Sequence, residues 1–327
     1  EYKKTIYINF ELEKLMCDLF SLDFDTRRII EGLELAYSKI DAKNTLIILD
    51  EIQECPKALT ALKYFYENSP EYNIVTAGSL LGVAIHENIS FPVGKVDFLD
   101  LYPLSFLEFL DAMGESNFIE ALKVPMSPNL KIFKMRYIEW LKKYYYIGGM
   151  PEVVSTYIET NDFQKVRKVQ ENILDAYTRD FSKHISSTGK LKIDLLWESI
   201  PNQITQESKK FVYKKIKSGA RTDEFEEALS WLINCGLVYK INRITKPALP
   251  LKAYEDTKAF KLFILDVGLL SALSKLPTRA LIEGNKVFTE FNGALAEQYV
   301  LQQLKILEDI EIAYWISKSG NAELDFI

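Results

Sequence analysis

Histidine is nearly absent from this chain, and its few cysteines show no pairing pattern. Only His86 and His184 occur among 327 residues, which leaves zinc chemistry almost without imidazole ligands. Both read as loop or surface residues. Cys17, Cys55 and Cys235 form no C-x-x-C pair and have no neighbouring histidine, so they read as reduced core thiols of a cytoplasmic protein. No apolar run reaches the length of a membrane span. The best candidate, 260–273, is interrupted by Lys261 and Asp266. No secretion signal is visible. Basic excess is missing too. The formal charge of −6 disfavours a globally basic nucleic-acid binder and leaves room only for local patches. What is present suits packed domains: 48% hydrophobic and 13% aromatic residues exclude a disordered chain. The length accommodates two or three domains.

The most informative run is Thr45-Leu46-Ile47-Ile48-Leu49-Asp50-Glu51-Ile52-Gln53. A continuous apolar run predicts a parallel strand buried on both faces. Ligands of open α/β sheets gather at the carboxyl ends of such strands, and an unpaired buried carboxylate there is costly. Two adjacent acids at that point fit Mg²⁺ held on nucleotide phosphates, with Asp50 on the metal and Glu51 polarising the attacking water. The plainer reading is a strand end that meets solvent and starts a turn. The neighbours support the first. Thr5 to Phe10 reads as a strand upstream and Asn73 to Thr76 as another downstream, with helix-length segments between, the pattern of βαβ units. Just past that third strand, Ser79 is the candidate γ-phosphate sensor and Thr76 the second choice. Alternatively, Ser79 is a simple N-cap.

The phosphate-cradling run G-x-x-x-x-G-K-[ST] is absent from these residues. The chain starts at Glu1 just before a strand, and Ala322 to Ile327 reads as an unfinished strand. Both ends read as cut, and the first strand, the phosphate loop and its helix are expected before Glu1.

Residues 1–113 carry the α/β signal. Helices are expected over Phe24 to Lys39, with Ile29, Leu33 and Ala36 on one face, and over Pro56 to Glu67, with Pro56 in the first turn. Ser105 and Glu108 have capping-box spacing for a helix over Phe106 to Ala112. Lys95 has two readings, a cation that senses nucleotide or completes a neighbouring subunit's site, and a solvated lysine in a turn. Residues 114–190 read as a helical region, broken at Gly148-Gly149-Met150-Pro151-Glu152.

Residues 191–275 read as winged-helix-like: helices near Leu195 to Ile200, Phe211 to Lys217 and Asp223 to Cys235, then a strand pair over Leu237 to Ile241 and Phe260 to Leu265. Lys209, Lys210, Lys214, Lys215, Lys217 and Arg221 offer a phosphate-contacting surface. Asp223, Glu224, Glu226 and Glu227 at the start of the third helix oppose base reading and favour packing or protein contact. In residues 276–327, a helix over Asn292 to Leu307 precedes two strands joined at Ser319-Gly320-Asn321. Glu297 on the helix and Asp325 on the last strand match the front half of a nuclease Mg²⁺ site, whose remaining Glu-x-Lys would lie beyond Ile327. Two unrelated surface acids are the alternative.

Taken together, Tyr7-Ile8-Asn9-Phe10-Glu11, Leu49-Asp50-Glu51-Ile52-Gln53, Ala77-Gly78-Ser79, Gly148 to Glu152, Asp266-Val267-Gly268-Leu269-Leu270, Glu297-Gln298-Tyr299-Val300 and Glu323-Leu324-Asp325-Phe326 resemble, in order, a large prokaryotic family of AAA-superfamily ATPases. The resemblance implies an α/β fold class: a partial AAA-type P-loop NTPase sheet, then a helical and winged-helix region, then a truncated restriction-endonuclease-like domain. It implies ATP and Mg²⁺ as cofactors, Walker B roles for Asp50 and Glu51, and the sensor position for Ser79. The chain departs from the family in the absent phosphate loop, the absent Glu-x-Lys and the lysine at position 95. The expected function is Mg²⁺-dependent ATP hydrolysis coupled to a DNA or protein partner held by residues 191–327, with homo-oligomerisation plausible and no membrane. The alternatives are a nucleotide-gated scaffold without turnover and a nuclease using Glu297 and Asp325.

Overall fold

The computed structural model describes residues 2–78, 94–122, 128–181, 187–205, 210–278, 286–307, 309–317 and 319–327. Two compact units divide the chain between Asp100 and Leu101, and each has its own apolar core.

In the first unit, β1 (Lys4–Asn9), β2 (Thr45–Asp50) and β3 (Asn73–Thr76) form a parallel sheet in that order. The connections run through α1 (Lys14–Ser21) and α2 (Thr26–Tyr37) before β2, and α3 (Pro56–Asn68) after it. Pro56 opens α3, where its missing N–H would have no intrahelical partner. Leu59, Leu62 and Phe65 face the core, as periodicity predicts. In α2 the buried face is Ile29, Ile30 and Leu33, and Ala36 is exposed. The apolar run of β2 alternates in burial: Ile47 and Leu49 are buried, while Leu46, Ile48 and Asp50 are half-buried. The reading of a strand equally buried on both faces therefore does not describe β2.

The cysteines require a correction. Cys17 of α1 and Cys55, which caps α3, form a disulfide with a Cα–Cα separation of 5.6 Å. Their 38-residue separation carries no spacing signal; packing of α1 on α3 brings them together. Cys235 is the free thiol among the described residues, pushed up to about 12 chiefly by burial.

The second unit begins with α4 (Phe106–Ala112), whose capping box is formed as expected: Glu108 N donates to Ser105 Oγ at 3.2 Å and Ser105 N to Glu108 Oε2 at 2.8 Å. The sequence grouped this helix with the α/β core. Its apolar face instead stacks on α7 (Lys134–Ile147), with the Phe106 and Phe109 rings 5.5 and 5.2 Å from Tyr144. Before α7 come α5 (Ser116–Leu122) and α6 (Pro128–Ile132), and after it α8 (Pro151–Thr160), α9 (Phe163–Asp180), α10 (Ser187–Ile204) and α11 (Thr222–Asn234). Next come β4 (Val238–Ile244), β5 (Glu255–Ile264), α12 (Val267–Leu273), α13 (Lys286–Lys305), β6 (Tyr314–Ile316) and β7 (Glu323–Leu324).

The expected second winged helix over Phe211 to Lys217 is only a 3-10 turn, Tyr213–Lys215. Its leading backbone is committed elsewhere. Phe211 N donates to Phe260 O at 2.8 Å and Val212 N to Gln203 Oε1 at 2.6 Å, and Val212 is held extended at φ −130° and ψ 107°, so no helix can begin before Tyr213. Nor do the strands of 191–275 stand apart from those of 276–327. The sheet order is β5-β4-β6-β7, with β4 parallel to β6 through Arg243↔Tyr314 and Ile244↔Trp315. The β4–β5 and β6–β7 pairs are antiparallel.

One junction organises this unit. Asp266, fully buried, caps α12 by accepting from Leu269 N at 2.9 Å, and it accepts from Gly149 N at 2.6 Å and from Gln302 Nε2 at 3.1 Å. Burial raises its pKa, against the pull of those hydrogen bonds. The backbones meet closely here. A Cβ on Gly149 would stand 2.1 Å from Leu104 O, and one on Gly268 2.3 Å from Ile147 O. Gly148 has φ +77° and no space beside Asp266. The Gly-Gly-Met-Pro and Asp-Val-Gly motifs are thus two sides of one packing contact.

Candidate functional site

The register of the first sheet places Asn9 opposite Asp50, so both β1 and β2 deliver polar residues to the same carboxyl edge. Asp50 is tied on both oxygens. Glu51 N donates to Oδ1 at 3.0 Å. Asn9 Nδ2 donates to Oδ2 at 3.4 Å, and the Tyr7 hydroxyl donates to the same oxygen. That bond to the Asp50 carboxylate raises the Tyr7 pKa, since the phenolate would face a negative charge. Sequence reasoning named Tyr7 and Asn9 only within a motif and gave neither a role at the site. Their odd-numbered spacing on a strand parallel to β2 is the signal that could have found them.

Glu51 lies just beyond β2 in a left-handed conformation, φ 50° and ψ 46°. For a residue with a Cβ this costs on the order of 1 kcal/mol, and such strain clusters at functional sites. The surroundings hold it. Ile52 is fully buried and its N–H donates to Ala77 O at 3.1 Å, while Ala77 N donates to Leu49 O at 2.9 Å. The turn after β2 is thereby stitched to the end of β3. Gln53 Nε2 donates to Glu51 Oε2 at 2.6 Å and fixes that carboxylate. Gly78 makes room for this arrangement, because a Cβ there would fall 2.2 Å from Gln53 Oε1.

Of the other expected residues, Thr76 closes β3 and is half-buried. Ser79 lies outside the described residues. Lys95 engages the last turn of α3, 3.5 Å from Glu67 Oε1 and 4.7 Å above the Tyr66 ring. Among the described residues no group of three or more His, Cys, Asp and Glu could hold a metal ion. Mg²⁺ on nucleotide takes one or two carboxylates and otherwise water and phosphate oxygens. Asp50, half-buried at the strand end and oriented by three donors, fits such a ligand.

The second unit brings the other two expected acids together around a lysine the sequence did not single out. Lys261 Nζ on β5 lies 3.5 Å from Glu297 Oε2, 2.9 Å from Glu323 Oε1 and 3.0 Å from Asp325 Oδ1. Next to Glu297 on α13, Gln298 and Gln302 turn inward as well. Gln298 donates to Ile264 O at 2.6 Å and accepts from Ile264 N at 3.1 Å, and Gln302 accepts from Val267 N at 2.9 Å. This buried polar face is structural: it docks α13 on the end of β5. Among the described residues, no helix is long and apolar enough to cross a membrane.

Comparison with known proteins finds family matches in two segments of the chain. Residues 1–110 match the family described as AAA domain. Residues 138–280 match a domain of unknown function, DUF8612. No curated protein matches the chain. Two solved structures superpose over most of it. The Walker-type ATPase of Pyrococcus abyssi shares 13% identity over 83% of this chain and 84% of its own, with a TM-score of 0.48. The ORC1 protein of Aeropyrum pernix, in complex with DNA, shares 13% identity over 85% and 79%, with a TM-score of 0.32. At those scores neither likeness bears on function. The first unit is therefore similar to AAA domains, and the second contains a segment whose matching family has no described activity.

Proposed function

We propose that the first unit binds ATP with Mg²⁺ at the carboxyl edge of its parallel sheet and hydrolyses it, and that the nucleotide state is passed to a DNA or protein partner of the second unit. The observation that carries this reading is the adjacent pair Asp50 and Glu51 at the end of β2, within a segment that matches AAA domains. Bound together, ATP and Mg²⁺ would supply a γ-phosphoryl group with its charge partly neutralised.

The chain's own residues then have separate roles. Asp50 is the ligand carboxylate, kept in one orientation by Tyr7, Asn9 and the Glu51 backbone. Glu51 orients a water and accepts its proton. Its left-handed backbone turns the side chain out of the strand's alternation, and Gln53 steadies the carboxylate. Sensing of the γ-phosphate is assigned to Ser79, with Thr76 at the end of β3 the second choice. Lys95, occupied by Glu67 and Tyr66, becomes a sensor only by leaving them.

The test compares the full-length protein with its Glu51→Gln variant. Glu51→Gln should leave ATP binding within a few-fold of the unmutated protein. It should slow hydrolysis by about 10²-fold or more, the usual worth of a positioned general base. Unchanged turnover removes Glu51 from the mechanism; lost binding with an intact fold makes its role structural.

A further inference from the structure

What lies between Glu297 and Asp325 decides what that cluster can do. A Mg²⁺ site requires oxygens at about 2.0–2.1 Å in near-octahedral array. Here the point on which the acids converge already holds a positive charge. The Lys261 ammonium stands within 3.5 Å of oxygens from Glu297, Glu323 and Asp325, and the Tyr314 ring centroid is 4.9 Å from it. Lys261 is 1% exposed, so its charge is satisfied by these partners and by the ring quadrupole rather than by bulk water. A divalent ion at the same point would meet a buried ammonium at contact distance. The residues present do not fit Mg²⁺.

We propose that the ammonium of Lys261 is the resident cation of a carboxylate cage built by Glu297, Glu323 and Asp325, and that it keeps this cage closed to divalent metal ions. The second unit then has no metal-dependent nuclease centre at these acids. The same contacts also brace the fold, since through Lys261 strand β5 holds both Glu297 of α13 and the end of the chain around β7. Three carboxylates against one ammonium leave an excess of negative charge when all are ionised. Removing the ammonium should therefore open the cage to a metal rather than leave it empty.

Tb³⁺ titration of the full chain tests this, read by emission sensitised through tyrosine, for which Tyr314 is placed. Emission from other sites is common to all samples and cancels in the comparison. The unmutated protein and Asp325→Asn should give the same isotherm. Lys261→Met should gain one further ion per chain, displaceable by Mn²⁺ and lost again in the double variant Lys261→Met, Asp325→Asn. An ion bound by the unmutated protein and removed by Asp325→Asn overturns the proposal, and so does a folded Lys261→Met that gains none. If Lys261→Met does not fold, the first comparison still decides, because both of its proteins retain Lys261. The readout is independent of ATP turnover, so failure of the nucleotide reading in the first unit leaves it untouched.

Discussion

Replacing Asp266 with alanine removes the acceptor from three donors at once, and the cost can be built up from them. Loss of the side-chain cap on α12 costs about 1 kcal/mol. The buried Gly149 N–H loses its 2.6 Å partner, and a stranded buried donor costs about 1–3 kcal/mol. Gln302 keeps the Tyr144 hydroxyl at 2.9 Å but loses its second contact, roughly another 1 kcal/mol. Release from burying a carboxylate offsets part of this. The expected net loss is about 2–4 kcal/mol, on the order of 10 °C in Tm for a unit of this size. The assay is tryptophan fluorescence during guanidinium unfolding. Trp140, Trp197, Trp231 and Trp315 all lie beyond residue 100, so the signal reports on the second unit alone. Asp266→Asn should fall between, because its carbonyl can still cap Leu269 N while its amide faces the Gly149 donor. A loss below about 1 kcal/mol for Asp266→Ala would refute the view that this residue organises the unit.

Further outcomes follow from the same geometry. Gly149→Ala should destabilise the second unit by at least about 1–3 kcal/mol, because its Cβ would meet Leu104 backbone at 2.1 Å. Gly293→Ala, with nothing within 4 Å, should stabilise α13 by about 0.5–1 kcal/mol in the same melts. Peptide mapping without reductant should recover Cys17 linked to Cys55, and Cys17→Ser should lower the stability of the first unit by about 3 kcal/mol, followed by circular dichroism. For pH, Asp266 holds its proton to higher pH when folded than when unfolded. Its stabilising contribution is complete below the unfolded pKa of about 3.9 and is lost as pH rises through the raised folded value. The stability advantage of the unmutated protein over Asp266→Asn should therefore shrink as pH rises through that window, measured by unfolding at each pH.

Much of the first unit could be read from pattern, because its elements follow one another in sequence and each declares its own period. The strand ending in Asp50, with Glu51 just past it, and the proline opening α3 stand where local chemistry puts them, and so does the Ser105 capping box at the start of the second unit. What sequence could not supply was pairing across distance. Tyr7 and Asn9 reach Asp50 only through strand register, and Cys17 meets Cys55 only because two helices lie together. Lys261 carries no motif, so the expected acids were visible and their partner was not. The helix expected at Phe211 fails for a related reason: tertiary contacts with Phe260 and Gln203 hold Val212 extended, and that backbone overrides local propensity. The glycine motifs were legible as motifs, but their meaning as backbone contacts emerges only when both sides are present.

The junction around Asp266 also sets how this polypeptide acquires its structure. Its bonds join partners 117 residues apart at Gly149, 158 apart between Tyr144 and Gln302, and 197 apart between Phe106 and Gln303. Loops of that length must close before any of these contacts forms, and their entropy is spent first. Refolding of the second unit should accordingly be a slow process of milliseconds to seconds rather than microseconds. For the same reason it should resist dissection: a fragment holding only α4 to α11 would lack both Asp266 and Gln302, and with them the means to hold Gly149 in place.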